Sequence, residues 1–212
     1  MREWEKIAES FDETRRYAWK ECIDFIENAE GMGIDIGCGN GRHLKLMENR
    51  GMAVGIDIAF NMLLIAKKKT GNALLVQADA IHLPFPSHIF DYALFIAALH
   101  NIKGRENRIK ALKEMNRVLK KNGTAIISVW SKWQDRWRRH FMLQALYKWR
   151  ELGDIYIPWK RGEHVERFYH LYGMRELKKD VKKAGFEIIK AWSVKKVSKK
   201  HADNHFIIVR KI

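Results

Sequence analysis

Cysteine is nearly absent from this chain, with only Cys22 and Cys38 among 212 residues. They are far from any C-x-x-C spacing, so neither a disulfide framework nor a zinc site is supported, and no metal is expected. Long apolar runs are also missing. No stretch approaches the roughly 20 residues that cross a bilayer, and residues 1–6 are charged rather than apolar. Neither a membrane span nor a signal peptide is expected, and the cytoplasm is the default location. Repeats, low-complexity tracts and linkers are lacking, and the length allows one good core rather than two, which gives a single domain over 1–212. Acidic residues are scarce relative to basic ones, 25 against 40 Lys and Arg, for a net charge of +15. A surface of that sign attracts polyanions. The rest, 47% apolar and 31% charged, is the composition of a globular protein and excludes disorder.

The basic excess is uneven. It gathers at 132–139, Lys160-Arg161, 178–183 and 195–200, all in the C-terminal half. Charge runs are ordinarily solvated faces. Here Trp130, Trp133, Trp137, Trp149 and Trp159 are interleaved with the cations, which favours nucleic acid as the partner.

Apolar periodicity alternates between strand and helix patterns. Residues 1–30 predict a helical cover. Strands follow at about 32–36, 53–57, 73–77, 92–97 and 124–129, with helices at about 41–50, 61–69 and 105–120. The third helix should stop at Lys121-Asn122-Gly123, a glycine after a basic last turn. Regular alternation pauses over 131–172, an aromatic and basic insertion beside the active face. A helix at 174–184 and strands at 186–191 and 204–210 close the chain, the two strands predicting an antiparallel hairpin at one sheet edge. The fold class is therefore α/β, a doubly wound sheet with an antiparallel C-terminal strand.

The most informative stretch is Asp35-Ile36-Gly37-Cys38-Gly39-Asn40-Gly41. Glycines at alternate positions between a strand and a helix let the backbone turn with positive φ and let a ligand lie against it. Such a turn sits where α/β proteins open a nucleotide crevice. The spacing is G-x-G-x-G, and Asp35 two residues earlier would repel a pyrophosphate but hold a cationic or zwitterionic ligand. A tight turn without a ligand is the plainer alternative. Asp57, at the end of the second strand, suits the two hydroxyls of an adenosine ribose; as a helix cap it would stand too early, since the helical pattern begins near Asn61. Asp79 follows the third strand, where it either binds a ligand or caps a turn. Three acids ending three successive strands point to a cofactor.

The glycine run resembles motif I of the class I S-adenosylmethionine methyltransferases, a doubly wound, Rossmann-like family. In that family an Asp-Ala pair at the place of Asp79-Ala80 binds the adenine amino group. The resemblance implies S-adenosylmethionine as cofactor, held by Asp35, Gly37, Gly39, Gly41, Asp57, Ile58, Asp79, Ala80 and Ile96.

Segments across nearly the whole chain are similar to the tRNA wobble-uridine carboxymethyl methyltransferases, which esterify 5-carboxymethyluridine in the anticodon loop. These are Ile7-Ala8-Glu9-Ser10-Phe11 with Thr14-Arg15 and Trp19; Ile96-Ala97-Ala98-Leu99-His100 with Arg105-Glu106 and Arg108; Val129-Trp130; Ile157-Pro158-Trp159; Arg167-Phe168-Tyr169-His170-Leu171-Tyr172; and Asp203-Asn204. The Pro-Trp and Arg-aromatic-Tyr-His-Leu-Tyr motifs are the specific ones. Two features depart from the family: Asn101 stands where a second histidine is usual, and only 160–166 separate Pro-Trp from the arginine motif. The resemblance implies tRNA as a partner and admits a small zinc-binding activator protein.

A carboxylate acceptor is already ionised at neutral pH, so no general base is required and positioning supplies the rate. Arg167 and Arg15 are candidates to grip it, because guanidinium matches carboxylate and phosphate bidentately. Arg15 could equally meet the cofactor carboxylate or form a surface ion pair. His100 and Asn101 lie past the fourth strand and either position substrate or hold their loop together. Tyr169, His170 and Tyr172 could stack on or bond a flipped nucleoside, about half of them facing the ligand and the rest packing the core. Trp130, Trp133 and Trp159 line the pocket or pack the insertion, and Lys132, Arg136, Arg138, Arg139 and Lys160 are phosphate contacts as a group. Two rival functions fit parts of the pattern: a methyltransferase for a small molecule such as a quinone precursor or metabolite acid, and a non-catalytic RNA-binding module.

Overall fold

The computed structural model describes residues 2–147, 151–162 and 164–212. Trp149 lies outside them. Helices α1 (Arg2–Thr14) and α2 (Lys20–Glu27) precede β1 (Gly33–Ile36). Then come α3 (Leu44–Met47), β2 (Ala53–Asp57), α4 (Phe60–Lys69), β3 (Leu74–Gln77), β4 (Phe90–Ile96), α5 (Arg105–Val118) and β5 (Leu119–Trp130). The second half holds α6 (Arg138–Tyr147), β6 (Asp154–Trp159), β7 (Val165–His170), α7 (Met174–Lys183), β8 (Phe186–Val194) and β9 (Asn204–Lys211).

Seven strands form one sheet in the order β3-β2-β1-β4-β5-β9-β8. β3, β2, β1, β4 and β5 pair in parallel, and β9 runs antiparallel to both its neighbours. The expected doubly wound sheet with a terminal hairpin at one edge is what forms. β4 shows why it is covered on both faces. Ala93 and Phe95 belong to the apolar cluster containing Leu112 and Met115 of α5, whereas Tyr92, Leu94 and Ile96 belong to that of Leu44 and Cys22. Alternate residues leave a strand on opposite sides, so a continuous apolar run serves two layers. Leu94, Phe95 and Ile96 each contribute roughly 1.5–3 kcal/mol when buried, which fixes the carboxyl end of β4. The chain turns to opposite sides of the sheet after β1 and β4, opening the crevice between them.

Three expectations need correction. Helix α3 begins at Leu44 rather than near 41, because Gly41 still holds φ +75°. Helix α5 ends at Val118 without a glycine stop. Its last carbonyls are taken by Lys211, whose Nζ donates to the carbonyls of Asn116 (2.6 Å) and Leu119 (2.8 Å), while Val118 and Leu119 are fully buried. The stretch 131–172 is not irregular, since it contains α6 and a β6–β7 hairpin.

Helix α1 ties the two halves together. Glu5 accepts the N–H groups of Phe60 (2.6 Å) and Asn61 (2.8 Å) at the start of α4, where the helix dipole favours a carboxylate. Asp12 pairs with Lys69, and Asn40 of the glycine turn donates to the Arg15 carbonyl at 2.9 Å. From the other side, Trp159 Nε1 donates to Ser10 Oγ at 2.8 Å.

Candidate active site

A cavity of ≈ 1290 Å³ opens at the carboxyl ends of β1, β2 and β4, walled by α1 and the β6–β7 hairpin. Its floor is the glycine turn. Gly37, Gly39 and Gly41 hold φ of +70°, +54° and +75°. A Cβ on Gly37 would stand 2.5 Å from Ala98 Cβ, and one on Gly41 would stand 2.9 Å from Ala66 Cβ, so the turn is pressed between β4 and α4. The Gly39 N–H donates to Asp57 Oδ2 (2.8 Å) and the Ala59 N–H to Oδ1 (2.9 Å). Burial pushes the Asp57 carboxyl up to about 6; those two N–H groups pull it down, and the charge of Asp35 adds to the rise. Each carboxylate oxygen spends one lone pair inside the protein and keeps another for a hydroxyl donor. Asp79 lines the same wall, its Oδ1 accepting from the Ile81 N–H (3.1 Å), with Ile58, Ala78, Ala80 and Ile81 giving apolar surface. Ile96 lines the cavity from β4. These residues suit the adenosine part of the expected cofactor: acceptors for hydroxyls, an acceptor for an amino group, apolar walls for a ring, and a glycine turn without side chains.

Asp35 is the exception. It is 1% exposed and lies beneath the turn, outside the cavity wall, with Oδ2 3.8 Å from His43 Nδ1. Gly41 is likewise outside the wall. The expected row of three acids reduces to two that face the cavity and one buried away from it. β1 is buried along its whole length, so its last acid has no route out.

The opposite wall is cationic and aromatic. Arg167 is 5% exposed, with its guanidinium carbon 4.6 Å from the Trp159 ring centre, 5.2 Å from Tyr169 and 5.6 Å from Trp4. Its Nη1 donates to Tyr169 Oη at 2.6 Å, and its Nε is buried without a partner. Arg15 lies over Phe11 at 5.3 Å and Arg42 over Trp19 at 5.1 Å. Burial lowers the pKa of all three arginines; Arg42, also repelled by Arg15, falls to about 10. Among the described residues none of the three has an acidic partner within ion-pair distance. Arg167 is buried and Arg15 and Arg42 are half-buried; guanidinium groups drawn out of water without carboxylates suit an anion.

Between the two walls, Ala97 directly follows β4 at φ +54°, a conformation that costs a non-glycine residue about 1–3 kcal/mol. Its N–H donates to Ser128 Oγ and to the Ser128 carbonyl, both at 3.0 Å. His100 follows, 1% exposed, its Nδ1 accepting the Trp130 N–H at 3.0 Å. Burial, with His170 and Arg167 nearby, pushes its pKa down to about 3. The ring is therefore neutral with its proton on Nε2. Asn101 donates from Nδ2 to the Ala97 carbonyl (3.3 Å), leaving Oδ1 buried and unpartnered. Trp130 stacks on Tyr169 at 4.8 Å and 9°.

His170 and Tyr172 are corrections. Side chains alternate along β7, so Arg167 and Tyr169 line the cavity whereas His170 points into the protein. His170 is fully buried between Asp154 (2.7 Å) and Glu176 (2.9 Å). Burial opposes its charge, but the two carboxylates outweigh that and raise its pKa. Tyr172 is fully buried and accepts from Arg108 Nε at 3.0 Å. Lys132 is 7% exposed and paired with Glu176 at 2.9 Å, so it is unavailable to a phosphate. Arg136 and Lys160 line the cavity, and Arg138 and Arg139 are exposed on α6.

Arg42 and Trp4 were not among the expected site residues, and Phe11 and the segment 196–199 were noted only within a motif and as charge; all of them line the cavity. Arg42 carried a signal, standing directly after the third glycine. Trp4 and Phe11 lie seven residues apart on one face of α1.

The family described as "Methyltransferase domain" matches residues 34–127. The chain is 32% identical over 209 residues to the tRNA (carboxymethyluridine(34)-5-O)-methyltransferase of Schizosaccharomyces pombe, covering 88% of this chain and 87% of that one. Among solved structures, an S-adenosylmethionine-dependent methyltransferase from Methanosarcina mazei superposes with a TM-score of 0.76 at 22% identity, covering 92% of this chain and 99% of that one. A chain in the Haloferax volcanii complex between the Trm112 methyltransferase activator and a methyltransferase superposes with a TM-score of 0.69 at 14% identity, covering 98% and 97%.

Proposed function

Since this chain belongs to the S-adenosylmethionine-dependent methyltransferases, we propose that it esterifies the carboxylate of 5-carboxymethyluridine, or of a related wobble uridine, in the tRNA anticodon loop. The observation that carries the reading is the buried Arg167, which has aromatic neighbours and no acid. It faces the same cavity as Asp57 and Asp79. The name of the fission-yeast relative supports the acceptor, and so does the net charge of +15.

S-adenosylmethionine supplies an electrophilic sulfonium methyl group. Asp57 and Asp79 would hold its adenosine, and Arg42 would meet its carboxylate. Arg167 holds the acceptor carboxylate through the guanidinium edge not used on Tyr169, in the bidentate geometry that guanidinium allows. Arg15, close enough to repel both Arg42 and Arg167, would be within reach of either anion. The acceptor needs no base, because a carboxyl group ionises near pH 4. His100, neutral throughout the working range, donates from Nε2 and takes no proton. The aromatic wall of Trp130, Tyr169 and Trp159 receives an unstacked base and excludes water.

The reading extends to a protein partner. β3 is an edge strand whose outer side is paired with no other strand among the described residues, with Leu74 53%, Leu64 47% and Phe60 51% exposed. An apolar edge of that kind suits strand addition by a small activator protein, of the sort named in the Haloferax volcanii complex.

The test is to incubate the protein with methyl-labelled cofactor and tRNA carrying the free acid. Label should enter the wobble nucleoside and be released by mild alkali, because a methyl ester hydrolyses where a methylated ring or ribose does not. Alkali-stable label would refute the acceptor. Equal labelling of the free nucleoside would favour a small-molecule enzyme.

A further inference from the structure

The loop between β8 and β9 has no part in the proposed chemistry, yet it is unusually well organised. Residues 195–201 read Lys-Lys-Val-Ser-Lys-Lys-His. Six consecutive backbone N–H groups point inward at two carboxylates. Those of Lys196, Val197 and Ser198 donate to Asp203 Oδ2 at 2.7, 2.7 and 2.9 Å, and Ser198 Oγ donates to Oδ1 at 2.5 Å. Those of Lys199 and Lys200 donate to Asp135 Oδ2 at 2.9 and 3.0 Å, and that of His201 to Oδ1 at 3.1 Å. His201 Nδ1 also meets Asp135 Oδ1 at 2.7 Å. These bonds hold both carboxyl groups below the usual aspartate range, so both stay ionised at neutral pH.

With its amides, Ser198 Oγ and His201 ring bound inward, the loop leaves its lysine side chains facing outward. Lys196, Val197, Ser198 and Lys199 line the wall beside Arg136, which lies over Trp137 at 4.7 Å. Lys196 is engaged by Trp19 (4.5 Å) and Glu21 (3.3 Å). Lys199 and Lys200 are exposed and have no acidic partner within ion-pair distance among the described residues. A flexible lysine tract would lose its freedom on binding, whereas this one is ordered beforehand.

We propose that the β8–β9 loop is a pre-ordered clamp for the sugar–phosphate backbone of the RNA next to the nucleotide in the cavity. Lys199 and Lys200 contact phosphate, and Asp135 is the positioning residue. The proposal rests on the RNA reading above.

The test measures binding of an anticodon stem-loop RNA as a function of salt. Each phosphate contact on a single strand contributes about 0.7 to the slope of log affinity against log salt. Lys199→Ala/Lys200→Ala should therefore flatten the slope by about 1.4, while Lys178→Ala/Lys179→Ala, with the same net charge and exposed lysines on α7, should leave it unchanged. Asp135→Asn makes the protein more positive, so net charge alone predicts tighter binding. The clamp predicts binding at least threefold weaker, with cofactor affinity unchanged by calorimetry. Equal slopes for the two double variants, or tighter binding by Asp135→Asn, would overturn the clamp while leaving the RNA reading intact. A wild-type protein that neither binds nor labels the RNA would overturn both.

Discussion

Cofactor affinity should fall steeply below about pH 6, and Asp57 is the reason. Its carboxyl titrates at about 6 in the folded protein because burial outweighs the N–H groups of Ala59 and Gly39. Only the ionised form can accept from two ribose hydroxyls while also accepting from those two N–H groups. Once the carboxyl is protonated, each further pH unit costs about 1.4 kcal/mol of binding. The dissociation constant should thus be nearly constant from pH 7 upward, double near pH 6 and rise about tenfold by pH 5. Titration calorimetry with S-adenosylhomocysteine over pH 5–7 measures it, with Asp57→Asn as the control whose weakened affinity does not follow this curve. The same shift sets the sign of a stability effect. A carboxyl whose pKa is raised on folding holds its proton in the folded state after the unfolded chain has released it. This group therefore makes the free protein less stable as pH rises from about 4 to about 6. An affinity flat from pH 5 to pH 7 would refute the assignment of Asp57 to the ribose.

Other residues give separable outcomes. Arg167→Ala should leave cofactor binding intact and lower kcat/KM at least thirtyfold, the equivalent of about 2 kcal/mol for a buried charged contact; Arg167→Lys should not restore it, since an ammonium lacks the planar fork. Gly37→Ala forces a Cβ to within 2.5 Å of Ala98 Cβ at φ +70°, and thermal unfolding should show a loss of roughly 2 kcal/mol or more. His170 has a raised pKa in the folded state, so its stabilising contribution is complete below about pH 6.5 and is lost as pH rises through the raised value. His170→Gln should remove that part of the dependence of Tm on pH, without abolishing cofactor binding.

The first three strands were legible because they are four or five residues long and each ends at, or within two residues of, a glycine or an acid. The Ala53–Asp57 strand was placed to the residue, since its five residues sit between Gly51 and the Asp57 turn. The β6–β7 hairpin was not legible. Ile155, Ile157 and Trp159 do alternate inward with Tyr156 and Pro158 outward, but Pro158 argues against a strand. It is tolerated because the hairpin stands apart from the main sheet. At the site, the acids of β2 and β3 were readable from position alone. Asp35 obeyed the same rule and still lies beneath the cavity, because burial depends on what packs over a strand end, which spacing does not carry. The motif 167–172 drew attention to the right segment, yet of its six residues only Arg167 and Tyr169 line the cavity, as alternation along β7 and the burial of Leu171 and Tyr172 dictate. The lysine loop was visible as charge only. Half of its order comes from the neighbouring Asp203 and half from Asp135, more than sixty residues earlier in the chain, a pairing no local pattern contains.

The most direct measurement is a crystal structure with S-adenosylhomocysteine and 5-carboxymethyluridine bound together. The account predicts ribose hydroxyls on Asp57, adenine beside Asp79 and Ile81, and the nucleoside carboxylate on Arg167 with the sulfur facing it. A nucleoside carboxylate turned away from Arg167 toward solvent, or adenosine seated away from Asp57, would contradict it.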